Sequence, residues 1–302
     1  MPKPIVDVKN LSVVFGDFYA VRDVSFAVYP GQIFGFLGAN GAGKTTTIRV
    51  LCGLLPGTAG RVVIDGAEFI PGRENIIKQK VGYMSQRFTL YDELTVGENF
   101  DFAAAIRNVP RSEYVVRRNR LLKMIGFDDD LRRPVRTLPG GIKQQVALSV
   151  ALLHEPKIIF LDEPTAGVAP VARMRFWEII RALAADGKTV FVTTHYRDEA
   201  ENCHRIALMR AGEIIASASP DELKRDTFGA NMYNLTPRRA NVAPPKGADL
   251  EMVEPYGRHF HIVFRHPPVA RRLAQLKRDF VVSQITPSLE DVFIKQVEGQ
   301  TR

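Results

Sequence analysis

The sequence predicts an α/β protein on a largely parallel sheet with a small α+β appendage behind it, and three observations carry that prediction. Apolar β-type runs alternate with stretches whose apolar positions recur every three to four residues. A glycine-rich turn joins one buried-type strand directly to a helix, and at Gly229 the texture shifts to a polar, proline-bearing stretch. At 302 residues the chain has room for one large domain with a substantial core and one smaller domain. The expected division is 1–228 and 229–302, with a helical subdomain at about 87–150.

In chain order, Ile5–Val8, Val24–Val28 and Gly31–Leu37 read as strands, the last apolar enough to lie at the centre of a sheet. From Lys44 the chain reads as a helix that stops near Gly53, with Pro56 and Gly57 beyond it. After Gln86 the strand signal fades, and runs such as Val115–Ile125 space their apolar positions by three and four, which predicts the helical insert. Lys157–Leu161 is a second buried-strand candidate, Arg173–Ala185 a helix ended by Asp186 and Gly187, and Thr189–Thr193 a β-branched strand. Pro237, Pro244, Pro245 and Gly247 mark a linker. Beyond it a strand (Phe260–Phe264), a helix (Val269–Arg278), a strand (Phe280–Ile285) and a helix (Leu289–Gln296) make up the appendage.

Composition narrows the class. Apolar residues at 45% and charged ones at 25% are those of an ordinary globular chain. The richest apolar runs, Val146–Leu153 and Ile158–Leu161, fall far short of the roughly 20 residues a spanning helix needs. The opening MPKPIVDVKNL lacks the charged-then-apolar order of a secretory signal, so the expected location is cytoplasmic. Cys52 and Cys203 form neither a CxxC motif nor a disulfide framework and are expected as buried free thiols. The net charge of +8 fits nucleic acid, anionic lipid or plain solubility. The basic runs Arg117-Arg118 and Arg271-Arg272 are short and mixed with apolar residues, which favours a solvated face over a nucleic-acid surface.

The chemistry begins at GANGAGKT, Gly38 to Thr45, which fits G-x-x-x-x-G-K-[ST] between the required strand and helix. Gly38, Asn40, Gly41 and Gly43 let backbone N–H groups approach phosphate, and the helix N-terminus adds partial positive charge. Lys44 is placed for the β- and γ-phosphates, Thr45 for Mg²⁺ and Thr46 for phosphate. IIFLDEP, Ile158 to Pro164, sets two acids at the end of a buried strand. Asp162 is the metal-side carboxylate, and Glu163 the base toward an attacking water.

The stretch LPGGIKQQVALSVALLHEPKIIFLDEP resembles the signature region of the ABC family, normally Leu-Ser-Gly-Gly-Gln, then a helix, then the acidic strand end. The match rests on Leu138, Gly140, Gly141, Lys143 and Gln144. Three further positions keep the family's order: Gln86 in VGYMSQ, His195 in VFVTTHYRDEAE, and Phe15 in VVFGDFYAV. The resemblance implies that Gln86 contacts Mg²⁺ and water and senses a membrane partner, and that His195 touches the γ-phosphate. It implies that Phe15 stacks on adenine, with a core role for Phe15 or stacking by Tyr19 left open. It further implies an ATP- and Mg²⁺-dependent ATPase core with an antiparallel β-subdomain, the helical subdomain and the appendage. Two copies would face head to tail, with Gly140 and Gly141 offering N–H groups to the opposite copy's ATP. TTHYRDEAE and the tail TPSLEDVFIKQVEG resemble ATPases of bacterial drug-exporter type. Such a chain would serve a separate membrane permease at the cytoplasmic face of the inner membrane, its motion passed on near Gln86 to Leu94. The sequence departs from the pattern at Pro139 for serine, Ile142 for glutamine, Gln145 for arginine and Ala169 for the D-loop aspartate. Two rival readings are a soluble ATPase acting on ribosomes or DNA, and a regulatory subunit with little hydrolysis.

Overall fold

A computed structural model of the chain describes residues 3–86, 90–229, 231–239 and 242–298. It divides into two compact units, Met1–Ser217 and Ala218–Arg302.

The first unit holds two sheets. An antiparallel sheet in the order β2-β1-β4-β5 is made by β1 (Val6–Phe15), β2 (Phe18–Val28), β4 (Ala59–Ile64) and β5 (Ala67–Glu68). The second sheet, in the order β10-β9-β3-β8-β7-β6, contains β3 (Ile33–Leu37), β6 (Val81–Met84), β7 (Ile158–Asp162), β8 (Thr189–Thr194), β9 (Arg205–Arg210) and β10 (Glu213–Ala218). Its pairs β3 with β8, β3 with β9, β7 with β8 and β6 with β7 are all parallel. Every residue of β3, β7 and β8 is buried, as expected of parallel strands covered on both faces. Phe26, Phe36, Phe34, Phe191 and Phe160 run in that order as a chain of ring contacts with centroids 4.6–5.5 Å apart, tying β2 to the central strands.

The helices of this unit are α1 (Lys44–Leu51), α2 (Glu74–Lys80), α3 (Val96–Ile106), α4 (Arg111–Met124), α5 (Gly140–Leu152), α6 (Pro170–Ala185) and the single turn α7 (Arg197–Ala200). Thr95 and Glu98 cap α3 reciprocally, which satisfies two otherwise orphaned amides. Buried Asn99 clasps the loop ahead of α3, accepting from the Tyr91 amide at 2.8 Å and donating to the Tyr91 and Thr95 carbonyls. Of the stretch Gln86 to Leu94, residues 87–89 lie outside the described residues. α6 starts three residues before its expected Arg173, because Pro170 takes the first helical position, where the missing N–H costs nothing. The thiols of Cys52 and Cys203 are buried and free, and burial raises the pKa of both.

The second unit contains α8 (Pro220–Phe228), β11 (Met232–Pro237), β12 (Leu250–Tyr256), β13 (His259–Phe264), α9 (Ala270–Asp279), β14 (Phe280–Gln284) and α10 (Leu289–Phe293), continued by a π-helical segment, Ile294–Glu298. The strands form one antiparallel sheet in the order β12-β13-β11-β14, with Leu235, Ile262, Phe264, Leu276 and Phe280 in its core. The appendage therefore has two strands more than the predicted strand-helix-strand-helix. Pro237 suggested a linker, yet it stands at the last position of β11, beyond the residues Met232 to Leu235 that pair with β13. The division also falls before α8 rather than after it: α8 packs on α10, with Lys295 over the Phe228 ring and bonded to the Thr227 carbonyl at 2.8 Å.

Candidate active site

Four neighbouring strands, β3, β8, β7 and β6, end on the same edge of the parallel sheet, and the predicted site residues follow those ends. That edge is where ligands sit in open α/β sheets. After β3 comes the glycine loop. Gly43 occupies the cap position of α1 with φ 102°, and no side chain caps the helix, so its first-turn amides are left for an anion. A Cβ on Gly38 would stand 2.4 Å from the Met209 carbonyl oxygen, and one on Gly43 2.6 Å from that of Ala20. Both positions need glycine because backbone passes beside them. Gly41 has φ 82° with open space around it, and Asn40 beside it is exposed.

Lys44 is buried and donates to the carbonyls of Gly38 (2.8 Å) and Ala39 (3.0 Å). Its ammonium lies 3.8 Å from the Glu163 carboxylate. Burial lowers its pKa, against the opposing pull of the Glu163 and Asp162 charges. Thr45 donates to Asp162 Oδ1 at 2.9 Å, while the half-buried Thr46 hydroxyl has no protein partner among the described residues. Asp162, 1% exposed, also accepts from Thr193 Oγ1 at 2.7 Å.

Glu163 turns away from its strand with φ 47°, a left-handed backbone rare for a residue with a Cβ. Thr193 holds it there, since the Glu163 amide donates to Thr193 Oγ1 at 2.8 Å. The carboxylate then meets two partners from separate strand ends. Gln86 Nε2 donates to Oε2 at 3.0 Å, and His195 Nδ1 lies 3.3 Å from the same oxygen. Lys44, Asp162, Glu163, Gln86 and His195 thus form one cluster, although 151 positions separate the first from the last in the chain (195 − 44).

Phe15 and Tyr19 occupy the β1–β2 hairpin, with side chains in the open: Phe15 is 53% and Tyr19 42% exposed, which rules out a core role for Phe15. Tyr19 carries Arg22 over its ring at 4.6 Å. The hairpin reaches the phosphate loop through Ala20, the residue beside Gly43. Gly140 and Gly141 open α5 behind Pro139, again with no side-chain cap. No hydrogen bond or ion pair among the described residues joins them to the Lys44 cluster. They line a separate groove of about 460 Å³ together with Pro139, Ile142, Val168 and Ala169. Gly141 is required by packing, as a Cβ would stand 2.8 Å from that of Ala172 on α6.

Sequence reasoning did not single out Thr193, Thr165, Arg173 or Glu199, all of which bond within or beside this cluster. One signal was available: successive strand residues face opposite ways, so the paired Thr193 and Thr194 had to offer one hydroxyl to each side of the sheet.

The donor set suits a hard cation and a polyphosphate: one hydroxyl and one carboxylate oxygen side by side, a lysine, and uncapped helix amides over a glycine turn. Fold and site together define a P-loop nucleotide-binding protein. The ABC transporter family pattern matches residues 21–166. The Nod factor export ATP-binding protein I of Bradyrhizobium diazoefficiens is 34% identical over 98% of this chain and 97% of its own length. The chain therefore belongs to the ABC transporter family of ATP-binding proteins. The probable multidrug ABC transporter ATP-binding protein YbhF of Escherichia coli is 43% identical over 79% of the chain, which spans only 41% of that relative's length. Among solved structures, a dimeric ATP-binding cassette in a post-hydrolysis state with ADP and Pi superposes with a TM-score of 0.65 at 27% identity, covering 71% of this chain and 98% of that one.

Proposed function

We propose that this chain binds ATP with Mg²⁺, hydrolyses it, and so powers export through a separately encoded membrane permease. The observation that carries the reading is the meeting of Gln86 and His195 on the carboxylate of Glu163, beside Lys44. In this reading Lys44 and the amides at the start of α1 hold the β- and γ-phosphates, while Thr45, Asp162 and Gln86 hold the metal. When bound, Mg²⁺ neutralises charge on the phosphate oxygens. Glu163 takes a proton from the attacking water, and Gln86 and His195 fix its orientation. His195 also faces the terminal phosphate. Thr46 adds a hydroxyl to the phosphates, and Phe15 stacks on the base.

Two copies face head to tail in this proposal, with the Gly140 and Gly141 amides of one meeting the nucleotide of the other. The dimeric neighbour supports the pairing of two copies. Export is supported by the relatives' names. ATP moves the machine only in so far as it binds the closed dimer better than the open one. A peripheral place at the cytoplasmic face of the inner membrane goes with this reading; no helix among the described residues is long and apolar enough to cross a bilayer. The two-domain division belongs to the proposal too, the nucleotide-binding part lying in 1–217 and the accessory part in 218–302.

Glu163→Gln tests it. ATP affinity is expected to hold while turnover falls by about a hundredfold or more, since the amide cannot take the proton. Full turnover in the folded variant would place the base elsewhere.

A further inference from the structure

Glu199 lies on the one-turn helix α7 and is 2% exposed, so its carboxylate needs partners. It finds them in three separate segments. Thr165, two residues past Glu163, donates to Oε1 at 2.5 Å. Thr194, the residue before His195, donates to Oε2 at 2.8 Å. The Arg173 guanidinium, on the first turns of α6, pairs with Oε1 at 3.3 Å. Arg173 also lies 4.1 Å over the Tyr196 ring, whose centroid is 4.1 Å from that of His195. The Tyr196 amide in turn bonds Thr194 Oγ1 at 3.0 Å.

These contacts make a brace on one side of the β7 and β8 ends, and Thr193 makes the matching one on the other side. Thr193 joins Asp162 and the Glu163 amide. Glu199 joins the turn that follows Glu163 to the segment that carries His195. The 3.3 Å separation of His195 from Glu163 is therefore set by two struts, only one of which touches the reacting groups.

We propose that Glu199 is a positioning residue for ATP hydrolysis: with Thr165, Thr194 and Arg173 it fixes the distance between Glu163 and His195, and couples it to the entry of α6 after Ala169. This rests on the reading that Glu163 and His195 act on ATP. Glu199 meets no substrate; it acts through the geometry of residues that do. A displacement of about 1 Å in such a pair slows a reaction by about a hundredfold, whereas the phosphate loop that sets ATP affinity is untouched.

The test is steady-state ATP hydrolysis by the full chain, with nucleotide affinity measured separately. Glu199→Gln keeps the shape and removes the charge; it is expected to lower kcat by about tenfold to a hundredfold with KM and ATP affinity unchanged. Thr165→Val should do the same in weaker form, and Thr165→Ser, which keeps the hydroxyl, should restore the parent rate. Adding Arg173→Gln to Glu199→Gln should cost less than the two changes separately, because both act on one unit. A folded Glu199→Gln with the parent kcat, or a change in KM alone, overturns the inference. If Glu199→Gln fails to fold, the Thr165 pair decides: equal rates for valine and serine overturn it. A parent chain that binds no ATP sinks the proposed function first, which separates the two failures.

Discussion

The cluster at the strand ends and the groove at Gly140 differ in what they offer a ligand. In the first, charged and hydroxylic side chains interlock, and Lys44, Thr45, Asp162, Thr193, Glu163, Gln86 and His195 each have a partner within 4 Å. In the second, Pro139, Ile142, Val168 and Ala169 present apolar surface beside the backbone of Gly140 and Gly141, and Gln145 and Arg175 are its polar side chains. The cluster is assembled by long-range packing within one chain. The groove offers an uncapped helix N-terminus with the side chains of Gln145 and Arg175, a sparse set until a second surface encloses it. The family's usual serine and aspartate at 139 and 169 would add a hydroxyl and a carboxylate there. This chain has neither.

The widest expected gap between the regions comes from Lys44→Ala, which removes the ammonium proposed to hold the β- and γ-phosphates and should weaken ATP binding by about a hundredfold or more. A titration with a fluorescent nucleotide checks it, and unchanged affinity would mean the cluster is not the nucleotide site. Next is the groove. Pro139→Ser with Ala169→Asp is expected to raise basal turnover by about tenfold to a hundredfold, because a hydrogen bond to a charged group is worth about 1.5 to 3 kcal/mol. A folded double variant with an unchanged or lower rate would show that the apolar groove is adapted rather than deficient. The smallest effect concerns the hairpin beside the cluster. Phe15→Ala should weaken ATP by about twofold to tenfold through lost stacking, and leave tripolyphosphate binding alone. If Tyr19→Ala shows that pattern instead, the aromatic contact belongs to the other end of the hairpin.

Much of this arrangement was legible in the sequence. The apolar run through Leu37, the glycine loop and Lys44 belong to one continuous segment, and local order suffices to read them. Asp162 and Glu163 were visible as acids closing an apolar strand. The position of Phe15 was not settled, because exposure depends on how the hairpin leaves the sheet. β4, β5, β6, β9, β10, β11 and β12 were not read as strands: β5 and β6 are very short, β10 and β12 are half-buried, and β11 ends in proline. Glu199 was hidden for a different reason. It belongs to an acidic run, Asp198-Glu199 with Glu201, which reads as solvated surface, and only the approach of Thr165, Thr194 and Arg173 distinguishes it.

The left-handed backbone at Glu163 sets a conflict between durability and use. A carboxylate side chain at φ 47° carries a conformational cost of about 1 to 3 kcal/mol, which asparagine or glycine would bear more easily. Selection for heat resistance alone therefore pushes this position away from glutamate, and selection for turnover pushes it back. Thr193 stands between the two pressures: by holding the amide of the strained residue, it lets the chain keep a left-handed glutamate at the end of β7.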